Sequence, residues 1–197
     1  MVNLRAYRFG VALAVVTLML AGCTRTVQGS GDYPTYDEKS LAETATLVVE
    51  GTVLSTEDTV LTPRYEGDSP EENPMYGLSD EEKKRAMEQD DAVAATAVTL
   101  QVTAVHRGDT KIGATVVVIQ TGGTIDGVVY EAQEEPKLKV SNDYLLFAKD
   151  SFDGTFVILG GSAGMFAATG DGGFRAVNAD MAPFKEISSN EVDALLR

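Results

Sequence analysis

The chain has few of the residues that build metal centres and nucleophile–base pairs. It contains one cysteine, Cys23, one histidine, His106, and no tryptophan among its 197 residues. A single cysteine excludes an internal disulfide, and the lack of cysteine and histidine clusters excludes a structural zinc site. No loop has the ligand spacing of a calcium site, and no glycine-rich loop is followed by a Lys-Ser/Thr pair. We therefore predict no metal site and no cofactor.

No catalytic residues are predicted either. His106 directly precedes a turn sequence, so we expect its side chain to be exposed at a strand end, with no G-x-S-x-G motif to supply a partner serine. Ser162 lies in GGSAGMF, where the glycines are better explained by tight turns and close strand packing.

Basic residues are scarce, with 16 Lys and Arg against 30 Asp and Glu. Nucleic acids and anionic lipids attract clustered Lys and Arg, so the composition excludes nucleic acid as a partner. The acidic excess fits cationic partners or metal ions, and it fits plain solubility equally well.

Long apolar runs are also lacking, and the one near the N-terminus is short. Arg5 and Arg8 precede 14 uncharged residues, 9–22. A helix needs about 20 apolar residues to span a bilayer, so this run is too short to cross one. A positive segment followed by a short apolar run is typical of a secretory signal peptide, which we place at residues 1–22.

Leu20, Ala21, Gly22 and Cys23 follow this run and read LAGC. This sequence resembles the lipobox of bacterial lipoproteins. The resemblance implies cleavage between Gly22 and Cys23, a diacylglyceryl group on the Cys23 thiol, and in many bacteria acylation of the new amine. It also implies export and lipid attachment to the outer face of the cell membrane. The two acyl chains suffice for stable anchoring, because one chain binds a membrane only marginally. The alternative is an ordinary signal peptide with an incidental cysteine.

Removal of residues 1–22 leaves 175 residues with a formal charge of −16, enough for one domain. Residues 23–39 lack periodicity, so we predict a lipidated cysteine and a flexible tether. Residues 40–197 form a single β-rich domain in this interpretation. Within it, residues 57–91 hold 12 acidic and 4 basic residues, which predicts an acidic insertion.

The insertion contains one predicted helix, SDEEKKRAMEQ. Ser79 and Glu82 have the spacing of a capping box, and Asp80–Lys84 is an i,i+4 pair. The apolar face of this helix is thin, which indicates either a solvated helix or a contact surface for a partner. The candidate partner surface is Glu81, Glu82, Lys84 and Arg85.

Short strands dominate the rest of the chain. Residues 46–55 predict a first strand with Gly51 at a bulge, after a short helix capped by Ser40. Val98, Leu100 and Val102 alternate with polar residues and predict a long second strand. Later strands are predicted at 114–123, 128–131, 143–150 and 155–161, with a glycine-rich hairpin at 164–177. Ser188 and Glu191 predict the capping box of a C-terminal helix.

This pattern predicts a mostly β protein, a small antiparallel OB-like barrel or sandwich with a short acidic helical insertion and a C-terminal helix. LVVEGTV, VTAVHRGD and NDYLLFAKD resemble segments of netrin-like domains and metalloproteinase inhibitors of the TIMP type, which implies their OB-type barrel. The TIMP mechanism uses a free N-terminal cysteine to chelate zinc. That mechanism is not carried over, because Cys23 would be lipidated.

We expect a non-catalytic binding or accessory module of the bacterial envelope, held to the membrane through Cys23, with an envelope protein as its possible partner. The alternatives are a carboxylate-dependent envelope hydrolase and a cation-binding lipoprotein. Two buried carboxylates in a concave pocket would favour the hydrolase. A filled barrel with a flat acidic face would favour the binding module.

Overall fold

The computed structural model describes residues 25–29, 33–61, 69, 75–89, 93–132, 135–151 and 154–197. The strands are β1 Arg25–Gly29, β2 Leu47–Leu61, β3 Val93–Arg107, β4 Thr115–Thr121, β5 Gly123–Ile125, β6 Val128–Ala132, β7 Asp143–Asp150, β8 Phe156–Ile158, β9 Met165–Ala168, β10 Gly173–Ala176 and β11 Glu186–Ser188. The helices are α1 Glu38–Thr44, α2 Asp80–Gln89 and α3 Ser189–Leu195, with a 3₁₀ turn at Gly161–Gly164.

Five strands close into a barrel in the order β7-β2-β3-β4-β8. The barrel closes because β8 pairs with β4 in parallel and with β7 in antiparallel orientation. β9, β10 and β11 extend the sheet beyond β7. A mostly β fold with a small OB-like barrel and a C-terminal helix is therefore confirmed.

The barrel interior is filled by aliphatic side chains. Val98, Leu100 and Val102 of β3 are at most 1% exposed, and Leu146 and Met165 belong to the same cluster. The alternation in β3 confirms the long strand that the sequence predicts. The bulge predicted at Gly51 is also confirmed, because the β2–β3 register shifts between Glu50 and Gly51.

β7 is buried on both faces and separates two hydrophobic clusters. Leu146 faces the barrel interior, whereas Leu145 and Phe147 belong to the outer cluster together with residues of α1, β9, β10 and α3. Phe147 makes edge contacts with Phe166 and Phe184, at centroid distances of 5.9 and 6.1 Å. Side chains on both faces of β7 therefore stabilise the fold through buried apolar contacts.

The segment between β8 and β9 is a glycine-dependent turn inserted along the edge of β7. Gly160 and Gly161 have φ angles of 58° and 59°, which favour glycine. A Cβ on Gly164 would approach Phe147 O to 2.6 Å. Ser162 lies inside this turn and is 2% exposed. The glycines allow the tight turn and the close packing against β7, as the sequence predicts.

Two of the predicted helix caps are confirmed and one is wrong. Ser79 and Ser188 make capping boxes with Glu82 and Glu191. The cap of α1 is Asp37, which accepts a hydrogen bond from the Ser40 backbone, so the assignment of Ser40 as the cap is wrong. Ser40 instead occupies the third helical position, where its Oγ accepts a hydrogen bond from the Asp37 N–H. Ser40 and Glu43 have the same capping-box spacing as Asp37 and Ser40. The helix begins at the earlier of the two possible caps.

A small second sheet, with the order β1-β6-β5, lies beside the barrel. β1 pairs in parallel with β6 along its whole length. It falls within residues 23–39, where the sequence predicts a tether. The difference arises because the partner strand β6 lies about a hundred residues later, beyond the reach of local patterns.

The acidic insertion begins later than the sequence indicates. β2 continues to Leu61 and pairs there with Val93 of β3, so residues 57–61 belong to a long hairpin. None of the described helices is both long and apolar enough to cross a membrane. The signal peptide and the cleavage and lipidation residues Gly22 and Cys23 lie outside the described residues, and those assignments stay predictions.

Candidate functional site

A cavity of about 630 Å³ opens between the small sheet and one end of the barrel. We call it the small-sheet pocket. Strand β2 contributes Asp58, β3 contributes Thr96, and β6 contributes Tyr130 and Glu131. The segment from residue 135 to residue 138, which leads from β6 to β7, lines the remainder. The pocket thus exists only because the small sheet packs beside the extended β2–β3 hairpin.

Glu135 is the buried acidic group of this pocket, with 7% of the residue exposed. Its Oε2 accepts a hydrogen bond of 2.5 Å from the Tyr33 hydroxyl. Its Oε1 is buried and has no hydrogen-bond partner among the described residues. Burial raises the pKa of Glu135, although the hydrogen bond from Tyr33, the nearby Lys137, the Thr121 backbone and the Gln120 side chain all act against the shift. Burial and this carboxyl group also raise the pKa of Tyr33, which keeps the phenol protonated as a donor.

Lys137 holds the base of the pocket together. Its Nζ donates to Thr96 Oγ1 at 3.0 Å, to Thr121 O at 3.1 Å and to Gly122 O. An ammonium group has three hydrogens, so all of its donors are used within the protein. Burial lowers the pKa of Lys137, and the nearby carboxylates act in the opposite direction, with Glu135 the largest contributor.

Gln120 of β4 fixes the segment that carries both charged groups. It is 1% exposed, and its Nε2 donates to Pro136 O at 2.7 Å. Its Oε1 accepts from the Leu138 backbone at 3.1 Å. Because both the amide nitrogen and the amide oxygen of this buried side chain bond to the same backbone segment, that segment is rigid. The positions of Glu135 and Lys137 on it are therefore fixed. Gln120, a polar residue inside the apolar run TVVVIQT, was the one sequence signal that could have indicated this.

Replacing Glu135 with glutamine is expected to change how stability depends on pH. A carboxyl group with a raised pKa stabilises the fold fully below its ordinary value, 4.5, and this contribution is lost as the pH rises through the raised pKa. Glutamine carries no charge at any pH. The melting temperature of Glu135→Gln relative to that of the unmodified chain should therefore rise as the pH increases from below 4.5.

Thermal unfolding followed by circular dichroism at several pH values measures this difference. Glu57→Gln is the matched control, because Glu57 is exposed on the same strand as Asp58 but alternation places it on the opposite face. A melting-temperature difference for Glu135→Gln that does not change with pH would contradict the prediction.

The candidate partner surface lies away from the pocket. Glu81, Glu82, Lys84 and Arg85 are all exposed on α2. Glu82 is engaged in its cap, because both Ser79 N and Ser79 Oγ donate to its Oε2. None of the four lines the small-sheet pocket, and their role as a contact surface stays a prediction.

The prediction for His106 is wrong, because its side chain is only 5% exposed. Nε2 lies 2.9 Å from Glu50 Oε1 on β2, and Nδ1 lies 2.7 Å from Asp193 Oδ1 on α3. Ser189 Oγ donates to Glu50 rather than to the histidine. The cluster therefore joins α3 to the barrel and contains no serine hydrogen-bonded to the imidazole. The two carboxylates that contact the imidazole come from positions 56 and 87 residues away in the chain. The residues next to His106 in the sequence therefore could not reveal that its side chain is buried.

A second, smaller depression of about 320 Å³ covers the β9–β10 hairpin. Arg175 and Glu186 in this depression form an ion pair of 2.9 Å with each other, and both side chains are about two-thirds exposed to solvent. Within the part of the chain that the structure describes, no group of three His, Cys, Asp or Glu side chains is arranged to hold a metal ion. The small-sheet pocket is thus the better candidate for a ligand site.

Comparison with known proteins adds no relative. No protein-family model matches the chain, and no curated protein matches its sequence. The functional argument consequently rests on the residues and the geometry described above.

Proposed function

We propose that the mature chain is a lipid-anchored, non-catalytic binding module on the outer face of the bacterial cell membrane, and that the small-sheet pocket is its ligand site. The observation that carries this proposal is the buried polar base of the pocket. Glu135, Lys137 and Gln120 are held there by hydrogen bonds. Concave sites with a few fixed polar groups are typical of small-ligand binding.

The position of β1 adds a consequence for the anchor. β1 begins at Arg25, only two residues after Cys23. Two residues of extended chain are at most about 7 Å long. Gln28 of the same strand lines the pocket. A lipid on Cys23 would therefore hold the domain and its pocket close to the bilayer, so the ligand would be bound near the membrane surface.

The carboxylate-dependent hydrolase is the weaker alternative. Such an enzyme needs two carboxyl groups with separated pKa values acting on one bond. Among the described lining residues Glu135 is the buried carboxyl group, whereas Asp58 and Glu131 are exposed. The barrel interior is filled with apolar side chains, which supports the binding module.

The OB-like barrel also supports the resemblance to netrin-like and TIMP-type domains, which we retain as part of this proposal. The inhibitory mechanism of the TIMP type is not part of it. That mechanism requires a free cysteine amine at the N-terminus, and the lipobox assigns an acyl group to Cys23 instead.

Photocrosslinking in living cells tests the proposal. A photoreactive amino acid replaces Tyr130, which lines the pocket and is 38% exposed. Control positions are Ile112, 71% exposed on the turn before β4, and Glu81 on α2. Cells are fed an alkyne fatty acid, so that lipidated chains can be isolated through the alkyne and their adducts identified by mass spectrometry.

We expect a defined adduct at position 130 on chains that carry the fatty acid, with no matching adduct at position 112. Absence of the fatty acid label would contradict the anchor. Equal labelling at all three positions, no labelling, or labelling at position 81 alone would contradict the pocket as the ligand site.

A further inference from the structure

We propose that the small-sheet pocket binds a small soluble organic cation whose ammonium group pairs with Glu135. This inference rests on the proposed function, because it takes the pocket to be a ligand site and adds the chemical class of the ligand. Four observations support it: the charges of the lining, the donors already used, a buried acceptor without a partner, and an exposed aromatic ring.

The charges that a ligand meets in this pocket are negative. Among the described lining residues, Asp58, Glu131 and Glu135 are acidic and Lys137 is the single cation. The Lys137 ammonium group donates all of its hydrogens to Thr96, Thr121 and Gly122, so it has none left for a ligand. An anionic ligand would face carboxylates and, within the described part of the lining, no free cationic donor, which opposes binding.

The exposed carboxylates of Asp58 and Glu131 each use one oxygen in a hydrogen bond to the pocket wall. Asp58 accepts from the Thr124 backbone through Oδ1 at 2.8 Å. Glu131 accepts from Gln28 through Oε2 at 2.7 Å. These contacts fix the orientation of both groups while each retains further acceptor capacity, since an ionised carboxylate has about four lone-pair sites.

Glu135 provides the observation that points directly to a ligand. The residue is more than nine-tenths buried and lines the pocket, yet its Oε1 makes no hydrogen bond to the described residues, and the Thr121 backbone and the Gln120 amide lie near the carboxyl group without satisfying that oxygen. A buried acceptor without a donor is costly, and more so when it is charged. An ammonium group from a ligand would supply both a hydrogen bond and the opposite charge, and it would favour the ionised form that burial disfavours.

Tyr130 and Val129 give the same pocket an apolar side. Tyr130 is 38% exposed. An aromatic face attracts cations and also covers the methylene groups that carry them. A neutral polyol would gain hydrogen bonds but neither the charge pairing nor this ring contact, so the lining favours an amine over a sugar-like ligand.

Three five-carbon compounds that carry cationic, neutral or anionic end groups test this inference: 1,5-diaminopentane, 1,5-pentanediol and glutarate. Each is titrated by isothermal calorimetry into the full mature lipidated chain in detergent. We expect measurable binding of the diamine, with the diol and the dicarboxylate at least about tenfold weaker. Glu135→Gln should weaken diamine binding by at least about tenfold, because it removes the pairing charge.

Two further variants keep the test independent of folding defects. Glu131→Gln changes an exposed side chain and should weaken diamine binding by about two- to threefold, the size of an exposed pair. Glu57→Gln removes the same charge from the opposite face of β2 and should leave binding unchanged.

Equal or tighter binding of the diol or of glutarate would overturn the inference. No diamine binding, or diamine binding that Glu135→Gln and Glu131→Gln leave intact, would also overturn it. A crosslinked adduct at position 130 in cells, combined with no diamine binding, would leave the pocket as a ligand site and remove only its assignment to cations.

Discussion

Phe147→Ala is expected to lower the free energy of unfolding by about 3 to 5 kcal/mol. Phe147 is completely buried on β7, the strand that carries both hydrophobic clusters. Truncation removes its edge contacts with Phe166 and Phe184. It also leaves a cavity that the surrounding sheet can fill only in part. Because domains of this size are stable by only about 5 to 15 kcal/mol, the variant should be close to unfolding at modest denaturant concentrations.

Urea unfolding of the full mature chain, followed by far-ultraviolet circular dichroism, measures this loss. Phe147→Leu keeps most of the volume and should cost less than about 1.5 kcal/mol. Ile112→Ala is the surface control, because Ile112 is 71% exposed, and its effect should stay within about 0.5 kcal/mol. If Phe147→Ala costs no more than Ile112→Ala, the packing described for β7 is incorrect.

His106→Ala is expected to lower the free energy of unfolding by about 1 to 3 kcal/mol. The imidazole lies between Glu50 and Asp193, with both ring nitrogens within 3 Å of carboxylate oxygens. Without it, two negative groups remain near each other, and Glu50 is left largely buried with a side-chain exposure of 17%. Asp193 is 52% exposed, so water compensates for much of its loss.

A double-mutant cycle with Glu50→Gln measures whether the effect depends on this pairing. His106→Ala should cost less in the Glu50→Gln background, because the charge left unpaired is then absent. Hydrogen exchange at Val192, a buried residue of α3, should become faster in His106→Ala, since the cluster joins that helix to the barrel. Strictly additive effects, together with unchanged exchange at Val192, would show that the histidine does not hold α3.

Much of the secondary structure follows from short stretches of sequence. Ser79 with Glu82, and Ser188 with Glu191, form capping boxes because a side chain three residues away reaches the free N–H groups of a helix start. The alternation of Val98 with its neighbours gives a long β3 because a strand presents successive side chains to opposite faces. These effects act over a few residues, so the sequence is enough to find them.

The candidate site could not be found in this way. Tyr33 and Glu135 form their hydrogen bond across 102 positions of the chain, and His106 meets Asp193 across 87. In the sequence, Glu135 and Lys137 look like part of an ordinary polar loop. Only packing against β3, β4 and the small sheet removes them from water, and the shifted pKa values of Glu135 and Lys137 follow from that burial.

The sequence by itself determined the fold class and the helix caps at Ser79 and Ser188. It is also the whole basis for predicting a lipid on Cys23, because a lipobox is a linear signal. The tertiary structure alone decided that β1 joins the domain, that His106 is buried, and that Glu135 and Lys137 meet at the base of a pocket. The physical reason is that periodicity and capping depend on neighbours in the chain, whereas desolvation and charge pairing depend on neighbours in space.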